Sequence, residues 1–327
     1  MIIEAPSRLH MGLIDMNGSY GRTDGGIGIT IKNPSLKLFA EPSNKGITID
    51  FDDSITSTAI KEECIKKINS ACTNAINHFN IDSGFHFIVK RAYIPHAGFG
   101  SGTQIGLATS KIITHLNGIS ENSVNLGKII GRGGTSGIGI FAFDTGGFIV
   151  DGGHSLKEKD SFLPSSASDA VPAQLIGRYD FPEEWDILIA IPNVNDPVSG
   201  NKEVDIFKEY CPVPKNEVER MSHLVLMNLI PFLLEKDIES FGRAVDSIQN
   251  TGFKKIEVNL QHVRIKNLME KMREFGAYGV GMSSFGPTIY SVFDKNNKSI
   301  VKETMEYLGD QGIVYTTKAQ NQGYKIY

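Results

Sequence analysis

The chain has 327 residues, of which 40% are hydrophobic and 21% charged, and its formal net charge is −4. The length predicts two subdomains, and the composition is ordinary for a soluble globular protein. The lack of a Lys/Arg cluster argues against nucleic-acid binding, and no apolar run approaches the ~20 residues that a membrane span needs. The N-terminus has no apolar leader and the three cysteines form no CxxC pair, so we expect a cytoplasmic protein.

The hydrophobic pattern predicts an α+β fold. Residues 1–50 contain short apolar runs between turn residues, which is typical of β-structure. Apolar residues recur every three or four positions over 55–79, which predicts an amphipathic helix. Phe85, Phe87 and Val89 then alternate with polar residues and predict a half-buried strand.

The rest of the chain mixes helices and strands without a repeating βαβ period. Helices are predicted at 103–116, 123–130, 216–234, 237–249, 259–274 and 298–308, and strands at 147–150, 186–191, 287–293 and 312–318. A Ser/Ala/Pro-rich stretch at 161–173 predicts a boundary between an N-terminal subdomain, 1–165, and a C-terminal one, 166–327.

The segment Pro95–Gln104, PHAGFGSGTQ, lies between a predicted strand and a predicted helix. Glycines allow the backbone to turn so that successive N–H groups point at one place, and the following helix adds its positive end. This segment therefore predicts a phosphate site without a Walker A sequence. Its candidate residues are Gly98, Gly100, Ser101, Gly102, Thr103 and Gln104.

Two further segments are candidates for the same site. Near the N-terminus, Arg8, His10, Arg22 and Asp24 lie among glycines and apolar residues, an arrangement that suits an inward-facing anion site. The segment GVGMSSFGPT precedes a predicted strand. Its side chains Ser283, Ser284 and Thr288 are predicted to form a wall of the anion site.

Together with GRGGTSGIGIFAFDTGGFIVDGG at 131–153, these segments resemble the GHMP kinase superfamily in order and spacing. The resemblance implies an N-terminal S5-like β/α subdomain and a C-terminal ferredoxin-like subdomain. In these kinases Ser-Gly-x-Asp supplies the catalytic acid, but here Gly139 follows Ser136, Gly137 and Ile138. Gly102 likewise stands where the kinases have a serine that helps to hold Mg²⁺. The two kinase-specific side chains are therefore missing.

The pattern PSRLHMGLIDMNG followed by GRTDGGIG is more specific and is similar to β-ribofuranosylaminobenzene 5′-phosphate synthases. Met282 and Phe285 stand where that family usually has Gln and Trp. The resemblance implies that phosphoribosyl pyrophosphate condenses with 4-aminobenzoate or 4-hydroxybenzoate, with loss of pyrophosphate and CO₂. It further implies a role in methanopterin biosynthesis, Mg²⁺ as cofactor and a homodimer. Sequence alone leaves the choice of acceptor open.

On this resemblance we expect a catalytic group of Arg8, His10, Arg22, Asp24 and Asp144. Mg²⁺ is expected to bind a carboxylate such as Asp24 or Asp151, or water. Phosphate or carboxylate groups of the substrates are expected to contact the glycine-rich loop, Ser136 and His154. Asp144 has an equally good alternative role, as a hydrogen-bond partner of the turn at Gly146 and Gly147.

Two other functions remain open at this point. A true GHMP-type kinase acting on homoserine or mevalonate would need Asp144 or Asp151 as a displaced base. A non-catalytic regulator on a kinase-like fold would need an added nucleic-acid-binding element or an exposed partner surface, and the sequence shows no extra domain.

Overall fold

The computed structural model describes residues 1–44, 46–165, 167–194 and 201–327. Its strands are β1 (Ile2–Asp15), β2 (Arg22–Ser43), β3 (Ile47–Phe51), β4 (Gly84–Arg91), β5 (Phe148–Asp151), β6 (His154–Ser155), β7 (Leu175–Tyr179), β8 (Asp186–Pro192), β9 (Val280–Met282), β10 (Ile289–Phe293), β11 (Gly312–Thr317) and β12 (Lys325–Ile326). Its α-helices are α1 (Thr58–Phe79), α2 (Ser101–Leu116), α3 (Ser123–Ile129), α4 (Ile138–Asp144), α5 (Asn201–Tyr210), α6 (Lys215–His223), α7 (Ile230–Glu235), α8 (Ile238–Gln249), α9 (Gly252–Asn259), α10 (Val263–Glu274) and α11 (Ser299–Leu308).

The first sheet is built around the long hairpin of β1 and β2. Its main strand order is β12-β1-β2-β4-β3, and β5 and β6 also pair with β2. All pairs are antiparallel except β3 with β4. Helices α1 and α2 cover this sheet, and Cys64 and Cys72 are buried in the core between them as small apolar residues.

A glycine in β2 sets the position of α4. A Cβ on Gly28 would lie 2.4 Å from Ile138 Cγ2 and 2.6 Å from the Leu9 carbonyl oxygen. Such contacts are far inside van der Waals distance, so only glycine lets β2 pass under the start of α4. This close approach brings the first turn of α4 beside β1.

The second sheet has four antiparallel strands in the order β11-β8-β10-β9. Along the chain, helices follow β8, β9 and β10 are consecutive strands, and α11 precedes β11. Numbered in chain order, the four strands therefore lie in the sheet as 4-1-3-2. This is the ferredoxin-like βαββαβ arrangement, and that prediction is confirmed. Ile265, Met269 and Ile300 of α10 and α11 pack on one face of it.

The two sheets share a core. Leu9 and Ile29 of the first sheet belong to the same buried cluster as Ile187 and Ile189 of the second, and Phe241 of α8 lies in that cluster. Burying these side chains together ties the halves into one body, since each buried Leu, Ile or Phe contributes about 1.5–3 kcal/mol.

Most predicted elements are present, and the α+β class is confirmed. The residues predicted as separate short strands form one strand, Arg22–Ser43, and the predicted helix 216–234 includes a π-helical turn, Leu224–Leu229. Helices α4, α5 and α9 were not predicted, because their short segments carry glycines or many charges. Within the described residues, no helix is long and apolar enough to cross a membrane.

The predicted subdomain boundary falls between 165 and 166, and Ser166 is outside the described residues. After that boundary, β7 pairs with β5 and β12 pairs with β1, so two later strands contribute to the first sheet. Where the boundary lies stays a prediction.

Candidate active site

A cavity of about 430 Å³ lies where the glycine-rich loop, the first turn of α4, β1 and the helices α1, α5 and α9 meet. Nine of the residues predicted for the site line it: Arg8, His10, Gly98, Gly100, Ser101, Gly102, Thr103, Ser136 and Ser284. The cavity therefore joins all the segments that the sequence selected. It also contains charged residues that the sequence did not select.

The glycine-rich loop turns into α2 through Gly100, whose φ is 74°, in the left-handed region. The Gly100 carbonyl accepts hydrogen bonds from the N–H groups of Thr103 and Gln104. No side chain caps the helix, and among the described residues the N–H groups of Ser101 and Gly102 find no acceptor. Two free donors at the positive end of a 16-residue helix are suited to bind an anion.

Three cations surround this helix end: Lys66 and Lys67 of α1, and Arg132. A Cβ on Gly102 would lie 3.2 Å from both Arg132 Nη2 and Lys67 Cε, so the glycine leaves room for these two side chains. Burial and the charge of Arg132 lower the pKa of Lys67, and burial also lowers the pKa of Arg132. An anion bound here would relieve the repulsion between these two charges.

The sequence did not single out these three cations. Lys66 and Lys67 belong to the polar face of an amphipathic helix, where charged side chains are usually only solvated. Arg132 was read as part of a glycine-rich frame and not as a ligand. They are brought together only by tertiary structure, because Lys67 of α1 and Arg132 of the segment before α4 both pack against Gly102 at the start of α2.

Arg8 is anchored at the opposite side of the loop. Its Nη1 donates to the Gly98 carbonyl at 2.6 Å, and Ser283 Oγ donates to the same oxygen at 2.7 Å. Burial lowers the pKa of Arg8 to about 10, although Glu203 and Glu257 oppose that shift. Its Nε is buried without a partner among the described residues, so a charged donor remains for a ligand.

His10 belongs to a short chain of polar contacts. Its Nε2 lies 3.2 Å from Ser136 Oγ, which donates to Asp151 Oδ2 at 3.1 Å. Burial and the charges of Arg8 and Lys254 lower the pKa of His10 well below its ordinary value. Burial raises the pKa of Asp151 to about 6. His10 is therefore neutral, and its buried Nδ1 has no partner among the described residues.

Gly139 lines the cavity in the first turn of α4. Its carbonyl accepts a 2.6 Å hydrogen bond from Gln104 Nε2, so Gln104 holds α4 against α2 rather than contacting the cavity. A Cβ on Gly139 would lie 3.1 Å from Thr103 Cγ2. The position where a kinase has its acid thus faces the cavity and carries no side chain.

One wall of the cavity is aromatic and acidic. Phe207 of α5 and Phe285 line it together with Leu13, and Phe253 packs behind with ring centroids 4.7 Å from Phe207 and 6.1 Å from Phe285. Such a wall presents apolar faces that suit a flat aromatic ligand.

Two glutamates of this wall have raised pKa values. Burial and the charge of Glu257 raise the pKa of Glu203 to about 7, against the lowering effect of Arg132 and Arg8. Burial raises the pKa of Glu257, although the Lys254 ammonium 2.5 Å away opposes it. The sequence missed both residues, because the charged segments that carry them lack a motif.

Asp24 and His154 lie outside the cavity, in a buried cluster with Lys159. Lys159 Nζ donates to Asp24 Oδ2 at 2.9 Å, and His154 Nδ1 lies 2.6 Å from the same oxygen. The Lys159 ammonium also donates to the carbonyls of Gly134 and Leu163. The cluster thus fixes the loops that carry the cavity residues Thr135, Pro164 and Ser165.

This arrangement does not support Asp24 and Asp151 as Mg²⁺ ligands. Both side chains are fully buried, and neither residue lines the cavity. Asp24 is already paired with Lys159, and Asp151 accepts hydrogen bonds from Ser136 and from the N–H groups of Gly137 and Gly153. In the described part of the chain, no group of three or more His, Cys, Asp or Glu side chains is arranged to hold a metal ion.

Three other predicted residues are placed away from the cavity. Arg22 is exposed, and its guanidinium donates to the carbonyls of Gly152 and Gly153. Asp144 is exposed at the end of α4 and accepts a hydrogen bond from Ser123, so neither its catalytic role nor its contact to the glycine turn is found. Thr288 is fully buried and does not line the cavity.

Relatives of known name cover the whole chain. It is 48% identical over 326 residues to the β-ribofuranosylphenol 5′-phosphate synthase of Methanothermobacter thermautotrophicus, covering 99% of this chain and 97% of the relative. It is 44% identical over 337 residues to the protein of the same name from Methanocaldococcus jannaschii, covering 100% of both chains.

The fold is that of GHMP kinases. The family model described as GHMP kinases C terminal matches residues 229–311. The crystal structure of homoserine kinase from Cytophaga hutchinsonii superposes with a TM-score of 0.67 at 16% identity, covering 99% of this chain and 96% of that one. At this identity the likeness concerns the fold alone, and it confirms the fold class inferred from the sequence.

Proposed function

Because the chain belongs to the family of β-ribofuranosylphenol 5′-phosphate synthases, we propose that it joins a phosphoribosyl group to a benzoate ring. In this reaction C1 of phosphoribosyl pyrophosphate loses pyrophosphate. The ring carbon that bears the carboxylate attacks that centre, and loss of CO₂ restores the aromatic ring. The product is a C-riboside 5′-phosphate.

The observation that carries the proposal is a cavity with a phosphate-type loop but without a base at Gly139. Phosphoryl transfer to a hydroxyl needs a group that takes the hydroxyl proton. Attack by a ring carbon needs no such group at that position. What it needs is stabilisation of a departing diphosphate and alignment of two reactants.

The cations of the cavity form two groups, each suited to a different anionic part of the substrates. Lys66, Lys67 and Arg132, with the free N–H groups of Ser101 and Gly102, are suited to the diphosphate. Charge that develops on the leaving group meets donors that are already in place, which is the arrangement that lowers a barrier most. Arg8 Nε and His10 Nδ1, which have no hydrogen-bond partner among the described residues, are suited to the carboxylate of the acceptor or to the 5′-phosphate.

The name of the relatives favours 4-hydroxybenzoate as the acceptor, since a ribofuranosylphenol carries a ring hydroxyl. With 4-aminobenzoate the same chemistry gives an aminobenzene product. Either product is a precursor suited to methanopterin biosynthesis, and on this proposal the enzyme is a cytoplasmic pentosyltransferase that acts as a homodimer.

Mg²⁺ is proposed to enter with the diphosphate, because Mg²⁺ usually binds substrate phosphates, water and one or two carboxylates. The cavity offers Glu63 for this purpose, 3.9 Å from Lys67 on the side of the glycine-rich loop. The bound ion would neutralise charge on the departing pyrophosphate. Chelation with EDTA should abolish turnover and added Mg²⁺ restore it, without a change in the unfolding temperature of the free protein. A large drop in that temperature would instead indicate a metal held by the protein alone.

The proposal is tested by mixing the protein with phosphoribosyl pyrophosphate, Mg²⁺ and carboxyl-labelled 4-hydroxybenzoate. Labelled CO₂ and pyrophosphate should appear in equal amounts. A parallel reaction contains ATP with homoserine or mevalonate. ADP release there, with no CO₂ in the first reaction, would contradict the synthase and favour the kinase.

A further inference from the structure

Pyrophosphate release, carbon attack and loss of CO₂ leave the acidic wall of the cavity without an assigned role. Glu203 lies one helical turn before Phe207 on α5, and Glu257 lies one turn after Phe253 on α9. Residues four apart lie on the same face of a helix. Each carboxylate therefore accompanies an aromatic ring of the wall formed by Phe207, Phe253 and Phe285.

The two carboxylates differ in what holds them. Glu257 is fully buried and is neutralised by Lys254, whose ammonium also donates to the carbonyls of Met282 and Ser284. Glu203 lines the cavity and, among the described residues, makes no hydrogen bond or ion pair with a side chain. Glu203 is thus the carboxylate that is available to a ligand.

A ring held against this wall has two ends of opposite character. Its carboxylate is drawn to the cations around Arg8 and the glycine-rich loop. Its para substituent is then directed at the acidic side of the cavity. A hydroxyl or amino group there finds an acceptor in Glu203.

On the basis of the proposed function, we propose that Glu203 is the catalytic base for the para hydroxyl group of the acceptor. As the ring carbon bonds to ribose C1 and pyrophosphate leaves, the O–H bond breaks and its proton passes to the Glu203 carboxylate. This yields a dienone whose ring is uncharged and still bears the ionised carboxylate. When the C–CO₂ bond breaks, its electron pair restores the ring, and Glu203 returns the proton to oxygen.

The charges that face Glu203 tune it for this exchange. Glu257 on α9, Arg132 before α4 and Arg8 on β1 act on its carboxylate directly. The other titratable groups that line the cavity with it are the neutral His10 on β1, His96 in the glycine-rich loop, and Glu63, Lys66 and Lys67 on α1. Burial and Glu257 raise the pKa of Glu203 to about 7, where a group both accepts and returns a proton readily. Since the base must be ionised, kcat/KM for 4-hydroxybenzoate should rise with pH through about 7.

The test compares Glu203→Gln with the wild type on two acceptors, 4-hydroxybenzoate and 3,5-difluoro-4-hydroxybenzoate. Fluorine makes the phenol more acidic, so the second acceptor arrives already ionised. We expect Glu203→Gln to lower kcat/KM about 100-fold with 4-hydroxybenzoate, the low end for loss of a general base. The loss should shrink to less than about 10-fold with the fluorinated acceptor, and the pH dependence near 7 should vanish.

Glu209→Gln is the matched control, because Glu209 lies on the same helix and is exposed. It should behave as the wild type. An equal loss on both acceptors in Glu203→Gln, or no loss on either, would overturn the role of Glu203. Wild-type protein that releases neither CO₂ nor pyrophosphate would instead refute the proposed function.

Discussion

At the scale of single residues, Gly139 and Gly102 define what the cavity can do. Both lie where a side chain would enter the ligand space, and the nearest atoms belong to Thr103, Arg132 and Lys67. Lys67 and Arg132 are flexible side chains, so a small substituent is tolerated sterically at Gly102, whereas Thr103 is branched at Cβ and leaves a tighter fit at Gly139. The space and the positive charge that a phosphate ligand needs therefore explain these two glycines better than a backbone conformation that requires glycine.

Restoring the kinase-type acid should harm this enzyme. In Gly139→Asp a carboxylate faces the phosphate ligand, and like charges a few ångströms apart repel by up to about 4 kcal/mol at an effective dielectric constant near 20. We expect KM for phosphoribosyl pyrophosphate to rise about 10-fold or more, with a small change in unfolding temperature. Gly139→Ala is the control and should retain most activity. A gain of ATP-dependent kinase activity in Gly139→Asp would count against the account.

The sequence selected Arg22 for the active site, whereas the structure places Arg132 there. Arg132 lines the cavity beside Lys67, whereas Arg22 is exposed and holds backbone carbonyls. Arg132→Ala should lower kcat/KM about 100-fold, because losing one preorganised donor to a developing charge costs about 3 kcal/mol. Arg22→Ala should leave kcat/KM unchanged. Steady-state assays with pyrophosphate detection decide this, and the reverse order of effects would contradict the site.

At the scale of elements, the buried cluster of Asp24, His154 and Lys159 connects β2, β6 and the 159–165 loop. Asp24 therefore positions loops of the cavity and does not contact the substrates, because Lys159 binds both Asp24 and two loop carbonyls. The two loops that carry Thr135 and Pro164 are held by this cluster rather than by apolar packing alone.

Breaking the cluster should loosen the cavity wall. Lys159→Met removes the ammonium and leaves the Asp24 carboxylate buried beside His154 alone, and breaking a buried pair typically costs about 3–5 kcal/mol. We expect a matching loss of unfolding free energy in urea, and KM for both substrates should rise more than kcat falls. A double variant, Asp24→Asn with Lys159→Met, removes the unpaired charge and should recover part of the stability. No recovery would show that the charge pair is not what matters.

His154 gives this cluster a pH dependence. Burial opposes the charging of His154, but its hydrogen bond to Asp24 and the Asp24 charge outweigh it and raise the pKa above 6.5. A raised pKa stabilises the folded state below 6.5, and that contribution is lost as the pH rises through the raised value. Unfolding free energy should therefore fall more steeply with pH in the wild type than in His154→Gln. Parallel curves would contradict the assignment.

His86 also makes the unfolding free energy depend on pH, with the same sign as His154, so the experiment needs a control for it. Hydrogen bonds to Asp50 and Glu41 raise the pKa of His86, which lies on the exposed face of the first sheet. Because the group is largely solvated, its contribution is expected to be small and sensitive to salt. His86→Gln should leave the difference between the wild type and His154→Gln intact.

The elements also show what the sequence predicts well. The glycine-rich loop and the helix after it were predicted within two residues, because glycine spacing and helical periodicity are local signals. The acidic wall was not predicted, because Glu203 and Glu257 come from short helices brought together only by packing. Arg22, Asp24 and Asp144 were also predicted for the site and do not line the cavity, since charge next to glycine also occurs where a side chain stabilises the backbone or a neighbouring side chain.

At the scale of the whole molecule, the cavity lies between the two halves of the chain. The first half supplies the loop and its cations, and the second supplies the aromatic and acidic wall. The shared core, with Phe241 between the sheets, holds these parts in register. A kinase-like fold can thus change its chemistry by changing which groups face the cavity, while the scaffold that binds phosphate stays the same.

The central claim is that carbon, and not oxygen, attacks the ribose in this cavity. The most direct measurement is the ¹³C NMR spectrum of the product made from phosphoribosyl pyrophosphate labelled at C1 and 4-hydroxybenzoate labelled at the ring carbon that bears the carboxylate. The account predicts a one-bond coupling between the two labelled carbons in a product that has lost CO₂. A product that retains its carboxylate, with the ribose bound through oxygen and no such coupling, would contradict it.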